Sequence, residues 1–309
     1  MPLNLEPEPI AMALPFDIKP FPIPVVALGP GSQSGDEDES LNYIAMPQGM
    51  STFRAPPLPE PEELAGHAGA VSTLHEVLAR LQAVLRGEAV APVRLDGLAA
   101  ADLALINQVL GEGEVSAQVL AEPGRAPSAP RAQIQESVFA GVWRVIERCD
   151  DGRVLDTIEV GAVPALLHRI AAEDTRPVPP EPAVLPPNVL NAGSILVELA
   201  AHRQHWRAGD APQVVNLTLL PVTLEDIAWI DHQLGTGRIV ILSRGYGNCR
   251  ITNACAAHTW RVVYYNSQDT VILNAVEVCG LPEVACAAPE DLADSAERLV
   301  EVLQWVEQA

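Results

Sequence analysis

The alternation of apolar and polar positions divides the chain into helices and strands in a repeating order. The pattern predicts a helix over 72–86, opened by Ser72 as N-cap and closed by Gly87, and a second over 194–207, opened by Ser194 and closed by Gly209. A short strand follows each, near 93–96 and 214–219. Next comes a helix ending at Leu110 or Leu234, stopped by Gly-Glu-Gly or Gly-Thr-Gly, and then three strands, in the first block near 114–120, 134–147 and 154–160. In the longest strand, period-two alternation puts Phe139, Trp143 and Val145 on one face and Val142, Arg144 and Ile146 on the other. The last segment, Pro289 to Gln308, reads as an amphipathic helix with Leu292, Leu299, Val302, Leu303 and Val306 on one side.

The two blocks are copies of one unit. Ser72, Leu74, Glu76, Ala79, Gln82, Gly87, Val93 and Leu95 recur 122 residues later as Ser194, Leu196, Glu198, Ala201, Gln204, Gly209, Val215 and Leu217. Ile106, Leu110, Gly111, Gly113 and Val115 then match Ile230, Leu234, Gly235, Gly237 and Ile239. Trp143-Arg144-Val145 matches Trp260-Arg261-Val262, and Glu159-Val160 with Pro164 matches Glu277-Val278 with Pro282. Matches in one order, with gaps where loops belong, indicate a tandem duplication. The fold class expected is α/β in the α+β sense: a duplicated unit of helix, strand, helix and three strands around a mixed, largely antiparallel sheet.

Proline and charge set the organisation around these units. Residues 1–66 hold 13 of the 28 prolines and ten acidic residues, including the run Asp36-Glu37-Asp38-Glu39, against Lys19 and Arg54. Such a segment buries too little apolar surface to offset its ordering entropy, so a disordered, mostly extended arm is expected, with one apolar patch from Phe21 to Leu28. Pro177 to Pro187 contains six prolines and reads as a stiff linker. The expected organisation is an arm over 1–66, a first repeat over 67–176, a linker over 177–191, and a second repeat with a C-terminal helix over 192–309.

With 19 basic and 40 acidic residues the net charge is -21. That balance disfavours nucleic acid, whose phosphates are bound by Lys and Arg, and an anionic membrane surface; it suits a basic partner. No stretch approaches the roughly 20 apolar residues of a membrane span, and no basic segment precedes an apolar one at the start, so a cytoplasmic protein is expected. Cys149, Cys249, Cys255, Cys279 and Cys286 include no C-x-x-C pair and read as small buried hydrophobes, with neither a disulfide framework nor a closed zinc site expected.

The remaining motifs carry little chemistry. Gly-Glu-Gly and Gly-Thr-Gly follow a helix and precede a strand, the reverse of a dinucleotide-binding turn, and so read as helix stops. Glu198, His202 and His205 share a helix face, but the first unit has Glu76, Arg80 and Ala83 there, which supplies no second half for a metal site. Ser194 lies outside any nucleophile elbow. No catalytic residue, metal ligand or cofactor is assigned. The paired Trp143-Arg144 and Trp260-Arg261 favour a structural role, with a pseudo-symmetric peptide groove as the functional alternative.

Several strings resemble one family. Leu28-Gly-Pro-Gly-Ser-Gln33, Ile106 to Val115, Ile134 to Val145, Asn216 to Pro221, Gly245-Tyr-Gly247 and Ala287 to Leu299 are similar to segments of the hydrogenase expression/formation proteins HyaF, HupH and HoxQ, from about residue 26 to the end. The resemblance implies a non-enzymatic maturation chaperone for a membrane-bound nickel-iron hydrogenase, acting on the iron-sulfur small-subunit precursor before twin-arginine export, with other hydrogenase accessory proteins as further partners. It transfers no catalytic residues. The expected partner-binding residues are Phe21, Val25, Val26, Leu28, Gly29 and Gly31 in the arm, Gly245, Tyr246 and Gly247, and Trp143, Arg144, Trp260 and Arg261. A metal or iron-sulfur carrier is the competing expectation, and an enzyme with an unrecognised site the third.

Overall fold

The computed structural model describes residues 67–121, 131–149, 151–180, 182, 184–245 and 247–307. The first repeat runs α1 (Ala68–Leu85), β1 (Val93–Arg94), α2 (Ala100–Leu110), β2 (Val115–Val119), β3 (Ala132–Glu136), β4 (Val142–Arg148), β5 (Val154–Val160) and α3 (Ala165–Asp174). The second runs α4 (Ala192–His205), β6 (Gln213–Asn216), α5 (Leu224–Leu234), β7 (Thr236–Ser243), β8 (Asn248–Ala254), β9 (Thr259–Tyr265), β10 (Val271–Val278) and α6 (Pro289–Glu307). Short 3-10 turns at Leu217–Leu219 and Glu283–Ala285 complete it.

Ten strands form one sheet in the order β1-β5-β4-β3-β2-β7-β8-β9-β10-β6, a sequence that mirrors itself about the β2/β7 junction. Every pairing between described strands is antiparallel, so the mixed sheet expected from the pattern is antiparallel throughout. The registers repeat as well: Trp143 sits opposite Glu136 and Glu159, and Trp260 opposite Asn253 and Glu277, residues that are themselves equivalent between repeats. At the junction Ala117 pairs with Ile241, its own counterpart, so a local two-fold axis passes through that pair.

Side chains on the two sheet faces enter different cores. On one face, Trp143, Val145, Ile134, Ile241, Ile251, Trp260 and Val262 pack under α3 and the Glu283–Ala285 turn, joining both repeats in a single layer. On the other face there are two cores near the sheet ends: α1, α2 and α6 cover the first, and α4 and α5 cover the second. The central strands of that second face lie between them.

Local chemistry explains the element ends. Helices α2 and α5 both stop at glycine, Gly111 with φ 55° and Gly235 with φ 67°, a left-handed setting that carries no Cβ penalty there. Helix α5 starts with a capping box: Thr223 Oγ1 accepts from the Asp226 amide at 2.9 Å, and the Asp226 carboxylate accepts from the Thr223 amide at 2.9 Å. The expected serine caps are not used. Helix α1 begins earlier, after His67, and α4 after Asn191, leaving Ser72 and Ser194 inside the helices.

The strand expected over 134–147 is a hairpin. Ser137 Oγ accepts from the Phe139 amide at 3.1 Å and donates to the Phe139 carbonyl at 2.9 Å, while the Gly141 amide donates to Glu136 Oε1 at 3.2 Å. Phe139 consequently leaves the Trp143 face and enters the α1/α2/α6 core beside Val142. The apolar residues of this turn kept the sequence pattern unbroken across it.

Candidate functional site

Between those two cores the described residues leave the centre of the sheet as a groove of about 600 Å3. Its floor alternates polar and apolar side chains because every second residue of each strand faces it: Ser116 from β2, Gln133 and Gln135 from β3, Arg144 and Ile146 from β4, and Val240 and Leu242 from β7. One wall is the end of α2, with Asn107, Leu110 and Glu112. Leu242 is 43% exposed, a large apolar side chain available to a ligand. Gln135 Nε2 donates to the carbonyl of Glu136 at 3.0 Å, which orients this floor residue.

Arg144 is held in the groove by two acceptors. Its Nη2 lies 2.7 Å from Asp156 Oδ2 and its Nε 3.0 Å from Oδ1, a bidentate pair, and Nη1 donates to Asn107 Oδ1 on α2. The Asp156 hydrogen bonds outweigh partial burial and raise the guanidinium pKa further. Glu112 lines this end of the groove, and exposed Glu114 lies beyond it, next to the equally exposed Arg244 whose amide donates to the Glu114 carbonyl at 3.1 Å.

Arg261 occupies the matching place in the second repeat, 8% exposed, with its Nη1 3.8 Å from Asp231, the counterpart of Asn107. Burial lowers its pKa and raises that of Asp231. Trp143 and Trp260 face the opposite way, each 1% exposed in the shared core, and Trp143 Nε1 donates to the Gly161 carbonyl at 2.9 Å. The structure thus separates the two Trp-Arg pairs: indoles in the core, Arg144 in the groove, Arg261 beneath α5.

Gly245 and Gly247 belong to the β7–β8 turn, and Gly245 lies against the Glu114 side chain at the same end of the sheet. Tyr246 and the arm residues Phe21, Val25, Val26, Leu28, Gly29 and Gly31 lie outside the described residues. The sequence reading missed the groove floor, because Ser116, Gln133 and Gln135 form no motif; their only signal was glutamine and serine recurring at alternate strand positions.

The titratable groups on the core face are tuned by burial. Glu136, buried beside the Gly141 turn, has its carboxyl raised to about 7 by burial, with smaller contributions from Glu114 and Asp291 acting against the Gly141 hydrogen bond. Burial pushes the Cys249 thiol up to about 12 and Cys286 up to about 11, and raises Cys279 as well, which disfavours the thiolate that a nucleophile or metal ligand requires. All five cysteines are free. His202 Nε2 lies 3.7 Å from Glu198, while His205 Nδ1 turns to the Ala201 carbonyl at 2.7 Å, so the helix face considered for metal is divided between separate partners. Among the described residues no three His, Cys, Asp or Glu side chains converge as a metal-holding group, and no helix is long and apolar enough to cross a membrane.

Comparison with known proteins places this architecture. A family model described as HupH hydrogenase expression protein, C-terminal conserved region, matches the chain twice, over residues 68–177 and 189–306. The chain is 50% identical over 286 residues to the hydrogenase expression/formation protein HoxQ of Cupriavidus necator, covering 93% of this chain and 98% of that one. It is 34% identical over 288 residues to the hydrogenase-1 operon protein HyaF of Escherichia coli, covering 91% and 96% respectively. A solved structure of the hydrogenase expression protein HupH from Thiobacillus denitrificans matches at 26% identity and a TM-score of 0.34, over 36% of this chain and 92% of that one. By the double match and by similarity along nearly its whole length, the chain belongs to the HupH family of hydrogenase expression proteins.

Proposed function

We propose that this protein is a non-catalytic chaperone that holds the iron-sulfur small-subunit precursor of a membrane-bound nickel-iron hydrogenase in the cytoplasm until twin-arginine export. The observation that carries the reading is the central groove, whose Arg144 is internally paired while Glu112 and Glu114 at its end form no ion pair among the described residues, in a chain of net charge -21. A basic leader is attracted to such a surface, and a floor of glutamine and serine interleaved with Ile146, Val240 and Leu242 offers an extended peptide both hydrogen bonds and modest apolar contact. The segment Gly245-Tyr246-Gly247 and the arm patch Phe21 to Leu28, with Gly29 and Gly31, supply the remaining contact in this reading.

The test is binding to the precursor, to precursor with its twin arginines neutralised, and to leaderless subunit, across a salt series. Screening limits exposed charges to about 10 Å at 0.1 M salt, so association with the intact precursor slows as salt rises. Glu112→Lys with Glu114→Lys weakens the intact precursor and spares the leaderless subunit. Equal, salt-insensitive binding to all three moves recognition to the folded body of the subunit, and absence of binding to any removes the chaperone reading.

A further inference from the structure

The two repeats differ most in what covers their first helices. In the first repeat, Leu74 and Leu81 of α1 share a core with Leu292, Leu299 and Leu303 of α6, and Leu81 is fully buried. The second repeat has no such covering helix among the described residues. The positions of α4 that correspond to Leu74, His75, Leu78 and Leu81 are Leu196, Val197, Ala200 and Arg203. Val197 is 69% exposed, and Leu196, buried at its α1 counterpart, is only partly buried. Between this face and the start of the linker lies a cavity of about 490 Å3 that includes Thr175, Arg176, Val178, Ala200, Arg203 and Gln204, and none of the described residues lining it is acidic.

Arg203 lies outside the paired majority of the described arginines. Ten described arginines form ion pairs with carboxylates: Arg80, Arg86, Arg94, Arg131, Arg144, Arg153, Arg169, Arg238, Arg261 and Arg298. Arg203 has no carboxylate partner among the described residues, and its Nη1 is buried without a hydrogen bond, in a chain with twice as many acids as bases. Burial lowers its pKa. Arg203 is only half-buried, but an Nη1 buried without an acceptor is costly, and an arriving carboxylate removes that cost.

We propose that this face of α4 is a docking site for an acidic amphipathic helix of a partner protein, seated as α6 is seated on α1 but presenting a carboxylate within its apolar stripe to Arg203. Charge complementarity selects this occupant. A purely apolar helix covers Arg203 without pairing it, and a basic helix repels Arg203 and Arg176. Ala200, standing where α1 has Leu78, leaves room for a close helix approach. The inference rests on the repeat comparison and is independent of how the central groove is used.

The experiment uses the full chain and three labelled helical peptides that share a leucine stripe and differ at one stripe position: Glu, Leu or Lys. Fluorescence anisotropy is expected to rank Glu above Leu and Lys, with at least about tenfold between Glu and Lys. Arg203→Glu is expected to reverse that ranking. Arg203→Leu, which installs the residue found in α1 and keeps the helix intact, makes the Leu peptide the tightest. A ranking unchanged by both substitutions overturns the proposal. So does saturable binding of inorganic phosphate, read by amide chemical shifts at Arg203, when no peptide binds; that result assigns the cavity to small anions.

Discussion

At the turn leading into β4 the first repeat has Gly141, and at the matching turn into β9 the second has His258. Both adopt positive φ, 78° and 55°. The backbone demand is the same, yet only the first position is closed to a side chain, since a Cβ on Gly141 would lie 2.0 Å from Leu292 Cδ2 of α6. No described helix covers His258, whose ring instead lies tilted against Trp206, with ring centroids 4.6 Å apart. The duplication therefore keeps what the sheet requires, namely register, helix stops and buried tryptophans, and diverges where neighbours differ. Helix α6 is the largest of those differences, because it leaves its own repeat to cover the other.

Removing the join between repeats is the most severe test of that comparison. Asp174, at the end of α3, accepts from the Arg238 amide at 2.7 Å, Arg238 Nε at 2.6 Å and Asn253 Nδ2 at 3.0 Å, fastening the first repeat to β7 and β8 of the second. Asp174→Ala leaves Arg238 buried without this acceptor and is expected to cost about 3–5 kcal/mol in denaturant unfolding. A loss below about 1 kcal/mol shows that the shared sheet alone joins the repeats.

The next test compares equivalent aspartates. Asp226 is fully buried and accepts four backbone N–H groups, from Leu190, Asn191, Ala192 and Thr223 at 2.7–2.9 Å; its counterpart Asp102 meets His67 Nδ1 at 3.0 Å. Burial opposes ionisation of Asp226, but those donors win and hold its carboxyl below the ordinary value. Asp226→Ala should cost roughly 3 kcal/mol and Asp102→Ala about 1 kcal/mol. The Asp226 contribution is fully present above the ordinary pKa of 3.8 and fades as pH falls through its depressed value. Equal losses for the two variants would falsify the distinction.

Glu136 and Asn253 form a third pair, a titratable group matched by a neutral one. Because Glu136 titrates near 7 in the folded protein rather than at 4.5, the folded state holds an extra proton in that window. Stability therefore declines as pH rises from about 4.5 to 7, by at most about 3 kcal/mol. Glu136→Gln, which keeps an acceptor for the Gly141 amide, is expected to flatten this part of the profile; an unaltered slope between wild type and variant rules the assignment out.

The turns themselves give the smallest difference. Gly141→Ala combines a positive φ with a collision against a movable leucine end and should cost roughly 2 kcal/mol. His258→Gly gains from relieved backbone strain and loses the Trp206 contact, leaving a net change within about 1 kcal/mol. Thermal melts that rank the two in the opposite order contradict the role assigned to α6.

Some of this architecture was legible in the chain itself. The ordered matches between residues 72–164 and 194–282 revealed the repeat, Leu110-Gly111 and Leu234-Gly235 marked two helix ends, and alternation about Trp143 separated its indole from the neighbouring Arg144. These are local properties, set by side-chain periodicity and by the backbone freedom of glycine, so they survive without knowledge of neighbours. Tertiary structure decided the rest. Which strand of one repeat meets the other, that α6 crosses to α1, and that half-buried Arg203 stands where α1 has fully buried Leu81 all depend on contacts between segments far apart in sequence. Burial and pairing across such distances are properties of the assembled fold, and no window of sequence contains both partners.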